Sequence, residues 1–217
     1  MHADSQTDLF AGDGGVVMLA DGACVLRGFA TQASAALLDA IDTVTTIAPW
    51  RHMVVPGGRR MSVAMSNAGA LGWNSDARGY RYATLDPLSE APWPPMPAAF
   101  TQLARDAAAR AGFAGFEPDA CLINRYAPGA RLSLHQDRDE RDFSQPIVSV
   151  SLGLPAVFLF GGPKRADPTQ AVPLQHGDVV VWGGPSRLRF HGVRPLADGE
   201  HPATGRCRIN LTLRRAG

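Results

Sequence analysis

Cysteine is scarce in this chain: Cys24, Cys121 and Cys207 are the only three among 217 residues, and none belongs to a C-x-x-C pair. An odd count without that spacing points to reduced, mostly buried thiols in a cytoplasmic protein rather than to a disulfide framework. Long hydrophobic runs are missing too. No apolar stretch approaches the ~20 residues that span a bilayer, so no membrane association is expected. The opening segment MHADSQTDLFAGDGG is polar and acidic, unlike a signal peptide. Charge of one sign is also lacking: 21 Lys and Arg against 20 Asp and Glu leave a net charge of +1. The whole molecule therefore has no strong pull on polyanions, and any nucleic-acid contact must come from a local patch. Arg51, His52, Arg59 and Arg60 form one candidate patch, and Lys164 with Arg165 another. Ordinary solvated loop charge accounts for either patch taken alone. Internal repeats and low-complexity segments are absent.

Hydrophobic residues make up 45% of the chain, enough for a sizeable core, and 23 Gly and 17 Pro fall mostly between short apolar runs. That texture predicts β-structure with tight turns. Two helices are expected. The first covers 31–47, with Thr31 as its N-cap and Leu37, Leu38, Ile41 and Val44 as its apolar stripe. The second covers 97–111 and stops at Gly112. Between them, VVPGGRRMSVAM reads as a hairpin, GWNSDARGYRY (72–82) as an aromatic-rich loop, and 87–97 as a Pro-rich extended connector. From Glu117 onward, short apolar runs recur every 8–15 residues with turn signals between them. This spacing predicts an all-β sandwich or jelly roll.

The stretch LSLHQDRDE (132–140) alternates as a strand does and then turns polar. With a period of two, Leu132 and Leu134 share one face, and Ser133, His135 and Asp137 the other. His135 and Asp137 side by side suit a metal, although a solvated strand end would look the same. Two His and one carboxylate form a facial triad that leaves positions open on Fe(II). The third ligand is His176 or His191. His176 lies in QHGD, a Gly turn whose Asp178 is ordinary turn chemistry. His191 closes the apolar run RLRFHGV, 56 residues after His135 (191 − 135), which is room for several strands. A jelly roll brings early and late strands together, so the choice falls on His135, Asp137 and His191, with His176 structural. By itself, His191 would pass for a core or turn histidine.

In RCRINLTLR, Arg208, Asn210, Thr212 and Arg214 share a face, and Ile209, Leu211 and Leu213 the other. Two inward arginines, ~20 Å apart along a flat strand, call for anions, because Arg pairs bidentately with carboxylates. A short dianion such as 2-oxoglutarate suits the gap beside an iron triad. An exposed edge strand would explain the alternation but not its company. Asn124 and Tyr126, on one face of INRYAPGA, are placed to hydrogen-bond that cosubstrate, or simply belong to a strand and turn.

These segments, with PIVSVSLGLPAVFLFGG and HGDVVVWGG, closely resemble the AlkB family of Fe(II)/2-oxoglutarate-dependent nucleic-acid dealkylases, in its bacterial founding type. The likeness extends upstream through MSVAM and LGW…GY to about Asp8. It implies one domain over 1–217. About 93–217 would be a helix plus a double-stranded β-helix, mainly β and cupin-like. About 1–92 would be an N-terminal extension with an α/β nucleotide-recognition lid. It implies iron at His135, Asp137 and His191, and 2-oxoglutarate at Asn124, Tyr126, Arg208, Asn210 and Arg214. A flipped alkylated base is expected between Trp73 and His135, with Tyr80, Asp139 and Arg165 nearby. An aromatic face and an acidic acceptor for an exocyclic amine suit that role, whereas core packing of a small lid is the plainer reading of Trp73 and Tyr80.

The resemblance further implies a DNA repair dioxygenase acting as a monomer. It would use O2 to demethylate 1-methyladenine and 3-methylcytosine, mainly in single-stranded DNA, releasing formaldehyde, succinate and CO2. Double-stranded DNA, RNA or tRNA, or a substrate other than nucleic acid, are the alternatives for the same iron chemistry. A non-catalytic binder of damaged bases is the remaining one, against which the intact triad and both arginines stand. The chain departs from the pattern in the lid hairpin. Val55 and Arg59 stand where the best-known bacterial members have Thr and Tyr, which trades a hydrogen bond for a charge contact and bears on strand preference.

Overall fold

The strong alternation at 208–214 forms a central strand of the larger of two sheets. The structure, a computed structural model, describes residues 15–217. The polar opening, with its expected lack of a signal peptide, lies outside the described residues. In chain order the elements are β1 (Val16–Ala20), β2 (Ala23–Leu26), α1 (Ser34–Ile47), β3 (Ala64–Gly69), β4 (Gly72–Asp76), β5 (Gly79–Ala83) and α2 (Ala98–Arg110). There follow β6 (Ala120–Tyr126), β7 (Leu132–His135), β8 (Ile147–Gly153), β9 (Ala156–Phe160), β10 (Gln170–Leu174), β11 (Val179–Trp182), β12 (His191–Val193) and β13 (Arg208–Arg214).

The major sheet runs β1-β2-β11-β8-β13-β6-β3, the minor sheet β10-β9-β12-β7, and β4-β5 form a separate hairpin. Strands β6 to β13 divide between the two sheets as in a jelly roll, four in each, with β9 and β10 a hairpin within the minor sheet. Strands β1, β2 and β3, from the N-terminal part, extend the same major sheet. Its two faces are both covered. Val179, Val181, Leu211 and Leu213 pack outward beneath α1 and α2, with Leu37, Ile41 and Phe100. Val180 and Trp182 point inward with Phe158 and Val193 of the minor sheet. Burial on both faces is why β8 and β13 read as buried at every position. No helix among the described residues is long and apolar enough to cross a membrane. The three cysteines are free.

Four expectations need correction. Helix α1 starts at Ser34 with Ala33 as N-cap, so Thr31 does not cap it. Instead the Thr31 carbonyl accepts from the Ser34 backbone and hydroxyl, at 3.2 and 2.8 Å, in a preceding turn. The stretch 72–82 is a hairpin, not a loop. Asp76 Oδ1 accepts the Arg78 N–H at 2.8 Å, and Gly79 adopts φ +118° to reverse the chain. Third, the apolar run before His191 is not a strand that ends there. A short 3₁₀ turn over Gly184–Ser186 intervenes, with Pro185 fixing its start, and β12 begins at His191. Finally, β7 ends at His135, so the period of two does not carry through Asp137 and Asp139. A register shift between His191 and Val193 sets Leu132 opposite Val193. Leu132 packs on the inner cluster.

Candidate functional site

β7 and β12 are neighbours in the minor sheet, and His135 is the register partner of His191. Opposed residues in a pair of strands project to one side, so both imidazoles enter the space between the sheets. Asp137, two residues past the end of β7, turns back to join them. One ligand atom from each of the three lies within 4.8 Å of the others. His135 Nε2 is 3.7 Å from Asp137 Oδ1, and His191 Nε2 is 3.7 Å from Oδ2.

The imidazoles are oriented for ligation. His135 Nδ1 lies 2.8 Å from the Ser133 carbonyl, and His191 Nδ1 lies 3.0 Å from that of Arg189. A carbonyl only accepts, so each Nδ1 carries a proton and each Nε2 is the nitrogen turned toward Asp137. Burial, and then the neighbouring His135, push the His191 imidazole down to about 4, so it is neutral near pH 7. Burial opposes ionisation of Asp137, but the Arg214 guanidinium outweighs it and holds the carboxyl below its ordinary range. Two imidazoles and one carboxylate, on three sides of one point, are the donor set for Fe(II).

Beyond the triad, β13 presents Arg208, Asn210 and Arg214 on its inward face, as its alternation predicts. Arg214 is engaged: it donates to Asp137 Oδ2 from Nη2 at 2.8 Å and from Nε at 3.2 Å. Arg208 is not. It is 2% exposed, and Nη2 donates to Ser151 Oγ at 2.8 Å, yet Nε and Nη1 are buried with no partner among the described residues. A guanidinium with open donors in a dry place is costly unless an anion completes it. Its plane lies over the Tyr126 ring, 5.0 Å from the centroid. Asn124 donates to Asn210 Oδ1 at 3.3 Å and leaves its own Oδ1 unpartnered. These open groups fit a short dicarboxylate with one end at Arg208.

The hairpin β4–β5 supplies the opposite wall. Trp73 and Tyr80 stack at 5.6 Å between centroids, 13° from parallel. The Trp73 backbone is pinned on both sides by the Asn67 side chain, at 3.0 and 3.1 Å. Its indole N–H donates to Asp139 Oδ2 at 2.7 Å. Arg165 donates to the Leu134 carbonyl at 2.6 Å and lies over Phe190. All twelve side chains singled out in the sequence for iron, cosubstrate and base line one cavity of about 750 Å³.

Other candidates fall elsewhere. His176 accepts the Gly153 N–H at 2.9 Å and stacks on His201. Asp178 accepts from Gly28 and Gln175 backbone N–H groups and pairs with Arg27, which is turn chemistry. Arg51 is taken by Asp86 and covers Trp93, whereas Arg59 and Arg60 are exposed at the cavity. Four contributors escaped the sequence reading: Asn67, Ser151, Glu140 and Arg187. Ser151 was within reach, because Ser149 and Ser151 alternate in IVSVSLG and both bond residues of β13.

Residues 22–214 match the 2OG-Fe(II) oxygenase superfamily. The chain is 61% identical over 198 residues to the alpha-ketoglutarate-dependent dioxygenase AlkB of Salmonella typhimurium, covering 91% of this chain and 92% of that protein. The Escherichia coli protein of the same name is 58% identical over 199 residues, 92% of each chain. The solved structure of OsALKBH1 superposes with a TM-score of 0.82 at 28% identity, over 93% of this chain and 100% of that one.

Proposed function

Because this chain belongs to the AlkB family of the 2OG-Fe(II) oxygenase superfamily, we propose that it removes small alkyl groups from base nitrogens, such as those of 1-methyladenine and 3-methylcytosine, mainly in single-stranded DNA. The chain is an Fe(II)- and 2-oxoglutarate-dependent dioxygenase that uses O2 and acts as a nucleic-acid demethylase. The observation that carries the finer reading is the shared cavity, in which a stacked indole and phenol face the His-Asp-His cluster. A flat group the size of a base, slid against Trp73, brings a substituent on its edge toward the triad.

In this reading His135, Asp137 and His191 hold the metal, and Arg208, Arg214, Asn124, Tyr126 and Asn210 hold 2-oxoglutarate. When bound, iron and its cosubstrates supply the oxidation of an N-alkyl carbon, with formaldehyde, succinate and CO2 as products. The protein does the rest. Arg208 neutralises the far carboxylate of the cosubstrate, and Arg214 keeps Asp137 ionised. Trp73 and Tyr80 offer a π-face, Asp139 accepts from the exocyclic amine of the base, and Arg165 approaches from the jelly-roll side. We read 1–217 as a single domain, with a catalytic core over about 93–217. The segment 1–92 includes a lid made of the β4–β5 hairpin and the turn around Arg59. Free cysteines suit a cytoplasmic protein, which we read as a monomer.

Mass spectrometry of oligonucleotides bearing single defined lesions, in DNA and RNA, with and without 2-oxoglutarate, tests this. Loss of one methyl mass from 1-methyladenine in DNA, only with 2-oxoglutarate, is expected. Demethylation confined to RNA, or none on any N-methylated base, overturns the reading.

A further inference from the structure

Asp139 and Glu140, consecutive in the chain, each bond one member of a cross-strand pair. Trp73 and Tyr82 are register partners in the β4–β5 hairpin, so their side chains share a face. The Trp73 indole donates to Asp139 Oδ2 at 2.7 Å, and the Tyr82 hydroxyl donates to Glu140 Oε1 at 2.8 Å.

Glu140 is no surface carboxylate, with a side chain only 2% exposed. Arg187 donates to its Oε2 at 3.1 Å, and Arg214 Nε lies 3.3 Å from its Oε1. Arg187 also donates to the Asp137 and Gln145 carbonyls, each at 3.0 Å. Asp137, Arg214, Glu140 and Arg187 thus alternate in sign through the interior. Buried ion pairs of this kind rarely add net stability over a packed apolar core, so their place in the molecule is what needs explaining. This row starts at the metal-ligand candidate Asp137 and ends, through Tyr82, on the hairpin that carries the aromatic wall.

We propose that Glu140 and Tyr82 are positioning residues, which with Asp139 form a two-pronged clamp fixing the Trp73 ring at a set distance from the His-Asp-His cluster. The role rests on Trp73 being the stacking wall of the reading above. Neither residue touches the substrate. Their effect is that the wall and the ligand arm 137–140 move as one piece, which keeps a stacked base in register with the reacting centre.

Tyr82→Phe tests the clamp, since it removes one hydroxyl from a partly buried ring and leaves the fold's packing alone. Glu140→Ala is the less useful variant, because it strands two buried arginines. The first readout is hydrogen exchange of the indole N–H groups by NMR in the intact protein. Exchange at Trp73 is expected to quicken about fivefold, the worth of one hydrogen bond. Trp93, whose indole bonds the Ala83 carbonyl at the end of the same hairpin at 2.9 Å, is expected to keep its rate. The second readout is turnover of a 1-methyladenine oligonucleotide. KM should rise about fivefold on the same grounds, with kcat changed less. Unchanged Trp73 exchange, or equal quickening at Trp93, overturns the clamp in favour of general loosening. A wild-type protein that turns over no methylated base removes the functional reading, while the indole exchange still decides the clamp.

Discussion

His135 and His191 stand directly opposite one another on antiparallel strands, with ring centroids 4.4 Å apart and planes tilted by 55°. Their side chains cannot be separated without parting β7 from β12. The sheet itself, not a flexible loop, therefore sets two of the three ligand positions. Replacing either imidazole should abolish metal-dependent turnover. For His135→Ala a loss of roughly a thousandfold or more is expected, in keeping with several kcal/mol of metal assistance. Formaldehyde release from a methylated oligonucleotide measures it. Full activity with added Fe(II) would sink the triad.

Gly192, next to His191 in β12, makes the close approach of β12 to β7 possible. A Cβ there would stand 2.8 Å from the Leu132 carbonyl and 3.2 Å from the Leu134 backbone nitrogen. Those neighbours are backbone and cannot swing away. Gly192→Ala should destabilise the fold by about 1–3 kcal/mol and weaken metal binding along with it, because the strain falls on the β7 backbone just before His135. Denaturant melts with and without Mn(II) separate the two effects. A variant as stable as wild type, with the same stabilisation by Mn(II), contradicts this.

Arg208 gives a prediction of mixed sign. Its guanidinium is buried with two donors open, so the protein without cosubstrate carries the cost of a charge that nothing completes. Burial accordingly draws its pKa below the usual value. Arg208→Met should raise the melting temperature of the cosubstrate-free protein by a few degrees, each kcal/mol being worth about 2–4 °C in a chain this size. The same change should raise KM for 2-oxoglutarate about ten- to a hundredfold, since a charge-assisted hydrogen bond is lost. A lower melting temperature together with an unchanged KM would mean that Arg208 is structural.

Much of this site is legible in the sequence because strands write their faces at a period of two. RINLTLR showed which residues face the cavity, and the structure keeps that division intact. INRY did the same for Asn124 and Tyr126. The hairpin at 72–83 was hidden because Asn74 and Ser75, polar residues that look like loop, are buried at 4% and 7% by bonding to the Gly72 and Val54 carbonyls. Glu140 and Arg187 were hidden for a different reason. Their partners lie 47 and 58 positions away, and a buried ion pair leaves no local pattern. Asp139 is placed at the base by the family resemblance, not by the alternation, which ends at His135. It nevertheless lines the cavity, because the chain past β7 is held in place by Arg187 and by Gln136, which bonds the Leu188 carbonyl.

The Asp86–Arg51 pair makes stability depend on pH in a set direction. Burial opposes the ionised carboxylate, but the Arg51 guanidinium and the Leu88 N–H hold the Asp86 pKa below its ordinary value. A group depressed in the folded state stabilises fully above its unfolded pKa of about 4 and loses that contribution as pH falls through the lower folded value. Asp86→Asn should therefore cost about 1–3 kcal/mol at pH 7 and progressively less toward pH 3. Urea melts of both proteins at pH 7, 5 and 3 check it, and a penalty that stays constant over that range contradicts the pairing.

Arg59 and Arg60 are exposed at the mouth of the cavity, on the turn in which the Val55 N–H bonds the Arg59 carbonyl at 2.9 Å. Arg51, lower on the same segment, is spent on Asp86. With a net charge of only +1, the protein gains little from its overall field, so local guanidinium groups must carry any grip on a phosphate backbone. Each phosphate neutralised on a single strand contributes about 0.7 to the slope of log affinity against log salt. The double variant Arg59→Tyr, Arg60→Thr should lower that slope by about 1.4 while changing kcat on a saturating oligonucleotide little, because both residues are exposed and neither bonds the triad. Fluorescence anisotropy with a labelled single strand between 50 and 300 mM salt, as a range of about one Debye-length halving, measures it. An unchanged slope would place both arginines outside the backbone path.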